Sequence, residues 1–407
     1  MDFDTTIHGM VAPGYESVAE AFASTVSESG GSALAVRVDG LTVLDLWHGA
    51  ADRERAVPWQ HDTMAMVFSC TKGLLAIMIG HLVQEGRLEL DLPVATYWPE
   101  FAAAGKSAIT VRQALSHRAG LATLRDDVDL GAALDDAAMA ARLAEEAPLW
   151  SPDAAYGYHA LTYGWLAGEI IRRVTGETPG ARLRRTLAGP LAADAWIGVP
   201  EPDLPRVARL AAGDSLSAPP PMTTERAIDP EDARWMERAM TLGTAFPASF
   251  VVPGEGFDDP RVRQAGVPGA GGAASAAGLA AIWSATVVPV SGVEPLDAAV
   301  VADMTRVQSE GEPVWWLPGP YPRWGTGFML PSERRPFLSD ASFGHDGAGG
   351  QIAFADSRHR VGFGYVTSLL EVHSDDRGDS IVRALGRVLG APPRRDFEVA
   401  AEENGRS

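Results

Sequence analysis

The strongest constraint on this fold is where the strand-like segments fall: at the two ends of the chain, with a long helical stretch between them. Near the amino terminus, Ala33-Leu34-Ala35-Val36-Arg37-Val38 alternates, turns at Asp39-Gly40, and resumes as Leu41-Thr42-Val43-Leu44-Asp45-Leu46. Two alternating runs joined by Asp-Gly predict a β-hairpin, because that dipeptide tolerates the positive φ angles of a tight turn. The strand pattern returns over residues 324–329, 351–355 and 361–366. Helical spacing marks 134–147, 162–175 and 230–242, with a Pro/Gly-rich stretch running from Ala218 to Pro268. Further helices are expected over 15–28, 69–83 and 377–389, the last stopped by Gly390 and two prolines. Strands at both ends around a helical middle fit one antiparallel sheet shared by the terminal segments, with the middle inserted beside it. We therefore expect an α/β (α+β) chain in two parts. Residues 1–80 and 265–407 would form a discontinuous sheet domain, 81–264 a helical one, and the active site would lie between them.

Charge narrows the partners. The 34 basic and 53 acidic residues of the 407-residue chain leave a net charge of −19. Nucleic-acid backbones and anionic membrane surfaces repel such a chain, so neither is expected as a partner. The lone cysteine, Cys70, excludes an intrachain disulfide and a cysteine-cluster metal site. Acidic Met1-Asp2-Phe3-Asp4 is unlike a signal peptide, and no apolar block reaches the length of a membrane span, so a cytoplasmic protein is expected. Only two of the basic residues are lysine, Lys72 and Lys106. In a chain that so avoids lysine, each one that remains asks for a reason.

Lys72 supplies one. In Ser69-Cys70-Thr71-Lys72 the i, i+3 spacing puts serine and lysine on one helix face within side-chain reach. The following Gly73-Leu74-Leu75-Ala76-Ile77-Met78-Ile79-Gly80 is apolar on every face, so the helix is buried. A buried lysine near a helix amino terminus has its ammonium form disfavoured by desolvation and by the helix dipole. Such a lysine can act as a base or share a proton with a hydroxyl, which makes the serine a nucleophile. The plainer alternative is that Ser69 caps the helix and Lys72 extends to solvent.

Two further clusters carry potential chemistry. Tyr156-Gly157-Tyr158-His159-Ala160 precedes a helix, and a phenol becomes a general base if a nearby cation such as Lys72 lowers its pKa. Tyrosines in such a turn also simply pack. Phe343-Gly344-His345-Asp346-Gly347-Ala348-Gly349-Gly350 runs into an apolar strand, where glycines admit a substrate and a strand N–H can stabilise an oxyanion. A glycine-rich loop with His345 on the surface would look the same. The signatures of zinc peptidases, phosphate-binding loops and α/β-hydrolase nucleophile elbows are absent.

Taken in order, Ser-x-x-Lys, a tyrosine motif about ninety residues on and a late His-x-Gly make a triple. The chain resembles the serine β-lactamase and penicillin-binding-protein superfamily, in particular the class C-like family VIII carboxylesterases. The likeness covers nearly the whole chain and includes Trp59, Leu115-Ser116-His117-Arg118-Ala119-Gly120-Leu121 and Tyr158-His159-Ala160-Leu161-Thr162-Tyr163-Gly164-Trp165. It implies a β-lactamase/D,D-peptidase-like fold, an antiparallel sheet flanked by terminal helices with an inserted helical domain. It also implies an acyl-enzyme on Ser69, with Lys72 tuning that serine and Tyr158, rather than Tyr156, shuttling the proton. The N–H groups of Ser69 and Ala348 would form an oxyanion hole beside His345 and Gly347, with no metal or organic cofactor.

The departures bear on substrate. Ala160 stands where penicillin-active members have an amide-binding Asn, and His345-Asp346-Gly347 stands where they have Lys-Thr-Gly. A missing amide partner and a repelling Asp346 would each cost about 1–3 kcal/mol against β-lactams and anionic peptides. Neutral carboxylic esters of short or medium acyl chain are therefore expected. Acyl transfer to another acceptor is the first alternative, and β-lactamase or D-amino-acid peptidase activity the second. Met222, Phe246, Phe250, Phe257, Trp315 and Trp316 are candidates for an apolar lining, and loop aromatics are equally often core.

Overall fold

A computed structural model describes residues 6–217, 227–371 and 375–391. The main sheet has nine strands: β1 (His8–Val11), β2 (Gly31–Val38), β3 (Leu41–Asp52), β4 (Val57–Pro58), β5 (Arg323–Trp324), β6 (Met329–Leu330), β7 (Ser342–Asp346), β8 (Ile352–Asp356) and β9 (Val361–Thr367). Their order is β1-β3-β2-β9-β8-β7-β6-β5 with β4 beside β3, and every pairing is antiparallel. The two ends of the chain thus meet along β2 and β9, from Val38↔Val361 to Ser32↔Thr367. The hairpin joining β2 to β3 turns at Asp39 (φ 51°) and Gly40 (φ 79°), as the dipeptide requires.

Alternation along the strands sorts the two faces. Leu34, Val36, Leu44, Leu46, Phe354, Phe363 and Tyr365 share one core with α1 (Glu16–Ala23) and the closing α7 (Arg377–Val388). Ala33, Ala35, Ala353 and Ala355 face the other core, built on α2 (Cys70–Gln84) and α6 (Ala276–Ala285). The small residues on this second face let α6 approach closely. A Cβ on Gly362 would lie 2.3 Å from Ser284 N and 2.4 Å from Ala280 O. Gly362→Ala should therefore push α6 off the sheet and destabilise the protein by about 1–3 kcal/mol, measured as a lower urea midpoint.

The middle of the chain is helical, with α3 (Asp136–Glu145), α4 (Thr162–Thr175) and α5 (Pro230–Thr241) near their expected positions. Two expected elements differ. The helix expected over 15–28 ends at Ala23, because the side chains of Ser24 and Thr25 turn back to Ala21 O and Phe22 O. The strand expected over 324–329 is two short strands paired with each other, Trp324 opposite Met329. Its central amides bond elsewhere: Gly325 N–H to Phe328 O, Thr326 N–H to Met304 O and Gly327 N–H to Leu115 O.

Candidate active site

A small three-stranded sheet sets the start of α2. Ala65–Met66 pairs with Gly272–Ala274, which pairs in turn with Ala195–Ile197. Val67 N–H donates to Gly272 O at 2.9 Å, and Gly272 N–H donates to Thr71 Oγ1 at 2.9 Å. Between these anchors Phe68 is left-handed (φ 44°), a conformation that costs free energy in a bulky residue and gathers at functional turns. Ser69 follows at the amino end of α2. Its side chain makes no capping bond and Lys72 is fully buried, so the capping alternative does not hold.

Ser69 Oγ has two partners instead. Lys72 Nζ lies 3.0 Å away and Tyr158 OH donates to Ser69 Oγ at 2.8 Å. Lys72 also donates to Ala160 O (2.6 Å) and Gly269 O (2.7 Å), and sits 5.0 Å from the centre of the Tyr158 ring. Desolvation brings the Lys72 ammonium down to about 7, against the opposing charge of Asp346. A neutral amine has two N–H donors and one lone pair. The two carbonyls take the donors, which leaves the lone pair for the Ser69 hydroxyl. Burial pushes the Tyr158 phenol far above its ordinary value, and its bond to Ser69 offsets only part of that. Tyr156, by contrast, is buried with its hydroxyl on Gly311 O.

The Tyr158 ring lies in an aromatic cage. Trp324 stacks on it at 5.2 Å and 19°, His117 lies at 4.9 Å and His345 at 6.3 Å. Trp324 also meets His117 (4.6 Å) and His345 (5.3 Å). His117, itself left-handed at φ 66°, accepts the His159 N–H on Nδ1. His159 Nδ1 donates to Gly157 O while its Nε2 accepts the Leu121 N–H. Burial brings His159 down to about 4 and His117 well below its usual range, so both rings are neutral. Neither Trp324 nor the cage was legible in the sequence, where Trp324 reads only as part of a strand.

His345 is buried, not a surface residue. Its Nδ1 donates to Asp346 O (2.6 Å), and desolvation brings its pKa down to about 4. Asp346, next along β7, is held by an arginine. Its carboxylate accepts from Arg335 Nη2 (3.1 Å), whose Nη1 donates to Asp379 on α7 (2.6 Å). The charge expected to repel a substrate carboxylate is thus paired with Arg335, while Asp346 Oδ1 stays 3.7 Å from His345 Nδ1 and the field of the carboxylate still reaches Lys72. Gly347 abuts the segment leading to Ser69, since a Cβ there would lie 2.5 Å from Val67 O. Among the described residues, neither Ser69 N–H nor Ala348 N–H has an acceptor. The Cys70 thiol donates to His345 O (3.2 Å), and burial pushes its pKa well up, so it packs rather than reacts.

The loop aromatics divide into two groups. Phe246, Phe250 and Phe257 cluster about Phe68, next to the nucleophile, with Phe246 and Phe257 buried. Trp315 stacks on Trp235 of α5 and meets Trp150, which meets His159; Trp316 N–H donates to Asp232. Trp315 is thus linked through Trp150 to His159 of the second motif, and Trp316 to α5. Met222 lies outside the described residues. Among the described residues, no group of three His, Cys, Asp or Glu side chains is placed to hold a metal ion, and no helix is long and apolar enough to cross a membrane.

A serine at a buried helix's amino end, with lysine and tyrosine converging on its hydroxyl beside an antiparallel sheet, is the architecture of a serine hydrolase of the β-lactamase superfamily. The chain belongs to the Beta-lactamase family, which residues 19–387 match. It is 35% identical over 378 residues to Esterase/beta-lactamase LipL of Mycobacterium tuberculosis, covering 91% of this chain and 84% of that protein. A solved structure of a family VIII carboxylesterase superposes with a TM-score of 0.81 at 32% identity, covering 94% of this chain and 100% of the other. A penicillin-binding-protein homologue from Caulobacter crescentus superposes at 0.78 with 35% identity, covering 94% and 100%.

Proposed function

We propose that the protein is a carboxylesterase that forms an acyl-enzyme on Ser69. The carrying observation is that Ser69 Oγ lies within hydrogen-bond reach of both Lys72 Nζ (3.0 Å) and Tyr158 OH (2.8 Å). Neutral Lys72 takes the Ser69 proton as Oγ attacks the ester carbonyl. The N–H groups of Ser69 and Ala348 receive the developing oxyanion. As the tetrahedral intermediate collapses, Tyr158 passes its proton to the departing alkoxide while taking up the one held on Lys72, so that no free phenolate forms. Water then enters against the acyl-enzyme by the reverse path. This order differs from the one the resemblance implies, in which Tyr158 removes the first proton. What supports the change is the cost of a buried phenolate set against a lysine whose neutral form burial favours.

Short- and medium-chain neutral esters fit this reading, with Phe250 beside Phe68 near the acyl group. The relative LipL carries both esterase and beta-lactamase in its name, so a β-lactam is the second reading; Ala160 in place of the amide-binding Asn argues for esters first. We also place the site between two lobes, 1–80 with 265–407 and 81–264. In support, Ser69, Lys72, Gly269 and His345 come from the first and His117, Tyr158 and Ala160 from the second.

The test is pre-steady-state nitrophenol release from p-nitrophenyl butyrate. The wild type should give a burst near one equivalent followed by slower turnover. Ser69→Ala should lose the burst and fall by on the order of 10⁴-fold or more. Release that survives in Ser69→Ala would place the nucleophile elsewhere. A burst whose decay quickens with added alcohol but not with water activity would favour acyl transfer.

A further inference from the structure

We propose that Trp324 is a positioning residue for this reaction: its indole holds the Tyr158 phenol against Ser69 and closes off the ring from water. The inference rests on the esterase reading and extends it to a residue outside the three sequence motifs.

Trp324 meets a ring from each of the three surrounding segments: Tyr158 at 5.2 Å, His117 at 4.6 Å and His345 at 5.3 Å. Its plane lies within 19° of the phenol, so it fixes the tilt of the Tyr158 ring, and with it the direction of the hydroxyl that reaches Ser69. Tyr158 is mostly but not fully buried, and Trp324 is 3% exposed. The indole thus supplies a dry wall on one face of a ring whose centre lies 5.0 Å from Lys72 Nζ.

The backbone around Trp324 is braced toward the same place. Trp324 N–H donates to Ser309 O and Trp324 O accepts from Gln308 N–H, both at 2.8 Å. Ser309 Oγ in turn donates to Ser116 O at 2.7 Å, one residue before His117. On the far side of the turn, Gly327 N–H donates to Leu115 O at 2.8 Å. The broken hairpin is therefore clamped at both ends to the segment that carries His117. The Trp324 indole nitrogen is buried with no hydrogen-bond partner among the described residues, as is that of the core residue Trp283, so the stranded donor by itself marks no role. What the indole offers beyond volume is a large flat face parallel to the phenol.

The experiment compares Trp324→Leu and Trp324→Phe with the wild type on two esters. Nitrophenolate leaves without a proton, so the burst from p-nitrophenyl butyrate reports Ser69 and Lys72. Ethyl butyrate needs the leaving alkoxide protonated, so its turnover reports the placement of Tyr158. Trp324→Leu should lower kcat for ethyl butyrate ten- to a hundred-fold, with KM within two-fold and the nitrophenol burst rate within about three-fold of wild type. Trp324→Phe keeps an aromatic face and should recover most of the loss. Wild-type turnover of ethyl butyrate by Trp324→Leu would overturn the proposal, as would an equal fall in the burst or an equal fall in Trp324→Phe. A wild type that releases no nitrophenol above background overturns the esterase reading itself, and this inference with it.

Discussion

Lys72→Arg is expected to be as inactive as Lys72→Met, each lowering kcat/KM for p-nitrophenyl butyrate by about 10²–10⁴-fold. The expectation runs against charge conservation and follows from the lone pair. Lys72 meets three oxygens, of which two are carbonyls that accept hydrogen bonds in either protonation state. Only the contact to Ser69 Oγ changes character when the amine loses its proton. Arginine keeps donors for Ala160 O and Gly269 O, but a guanidinium does not deprotonate and offers no lone pair to Ser69. The arginine variant should fold, since those carbonyls remain served, whereas the methionine variant strands both of them and should also be less stable.

The pH profile supplies the sign. The active form is the neutral amine, so wild-type kcat/KM should rise with pH, bend near the Lys72 value of about 7 and level above it. Below the bend the ammonium has no lone pair for the Ser69 proton and activity falls ten-fold per pH unit. Residual activity in Lys72→Arg should lose that bend. A Lys72→Arg enzyme with near wild-type rate would show that the lysine acts through its positive charge.

Much of this arrangement was legible in the residues, and the failures have physical causes. Ser69 and Lys72 could be paired from sequence because helical spacing is fixed and the helix is apolar all round. The β2–β3 hairpin was legible because Asp39-Gly40 has few other uses between alternating runs. That Asp346 is paired with Arg335 was not legible, because the two lie on separate segments that only the fold brings together. That Trp315 is joined through Trp150 to His159 left no mark in the sequence, because aromatic character does not record which ring meets which. Trp324 was missed because an apolar run around Gly325 and Gly327 reads as one strand, and only the tertiary partners of its amides break it. The carbonyls of Ala160 and Gly269 leave no mark in a sequence, since every residue carries one.

Tyr158→Phe separates the two orders of proton transfer. If Tyr158 is the acid that protonates the leaving group, its loss should slow acylation by ethyl butyrate about 10²–10⁴-fold but acylation by p-nitrophenyl butyrate by less than about 10-fold. Nitrophenolate is a good leaving group unprotonated, so the step that needs the phenol is absent. Slower steady-state turnover is expected with both esters, because hydrolysis of the shared acyl-enzyme sends its proton back along the same path. The substitution removes one oxygen and leaves the ring between Trp324 and His117, so the cage and the fold should persist. Acylation rates measured by rapid mixing, with product alcohol assayed for the ethyl ester, give the ratio directly. An equal loss for both esters would assign Tyr158 to the first proton transfer, taking it from Ser69, and would return Lys72 to the role of holding and tuning that pair.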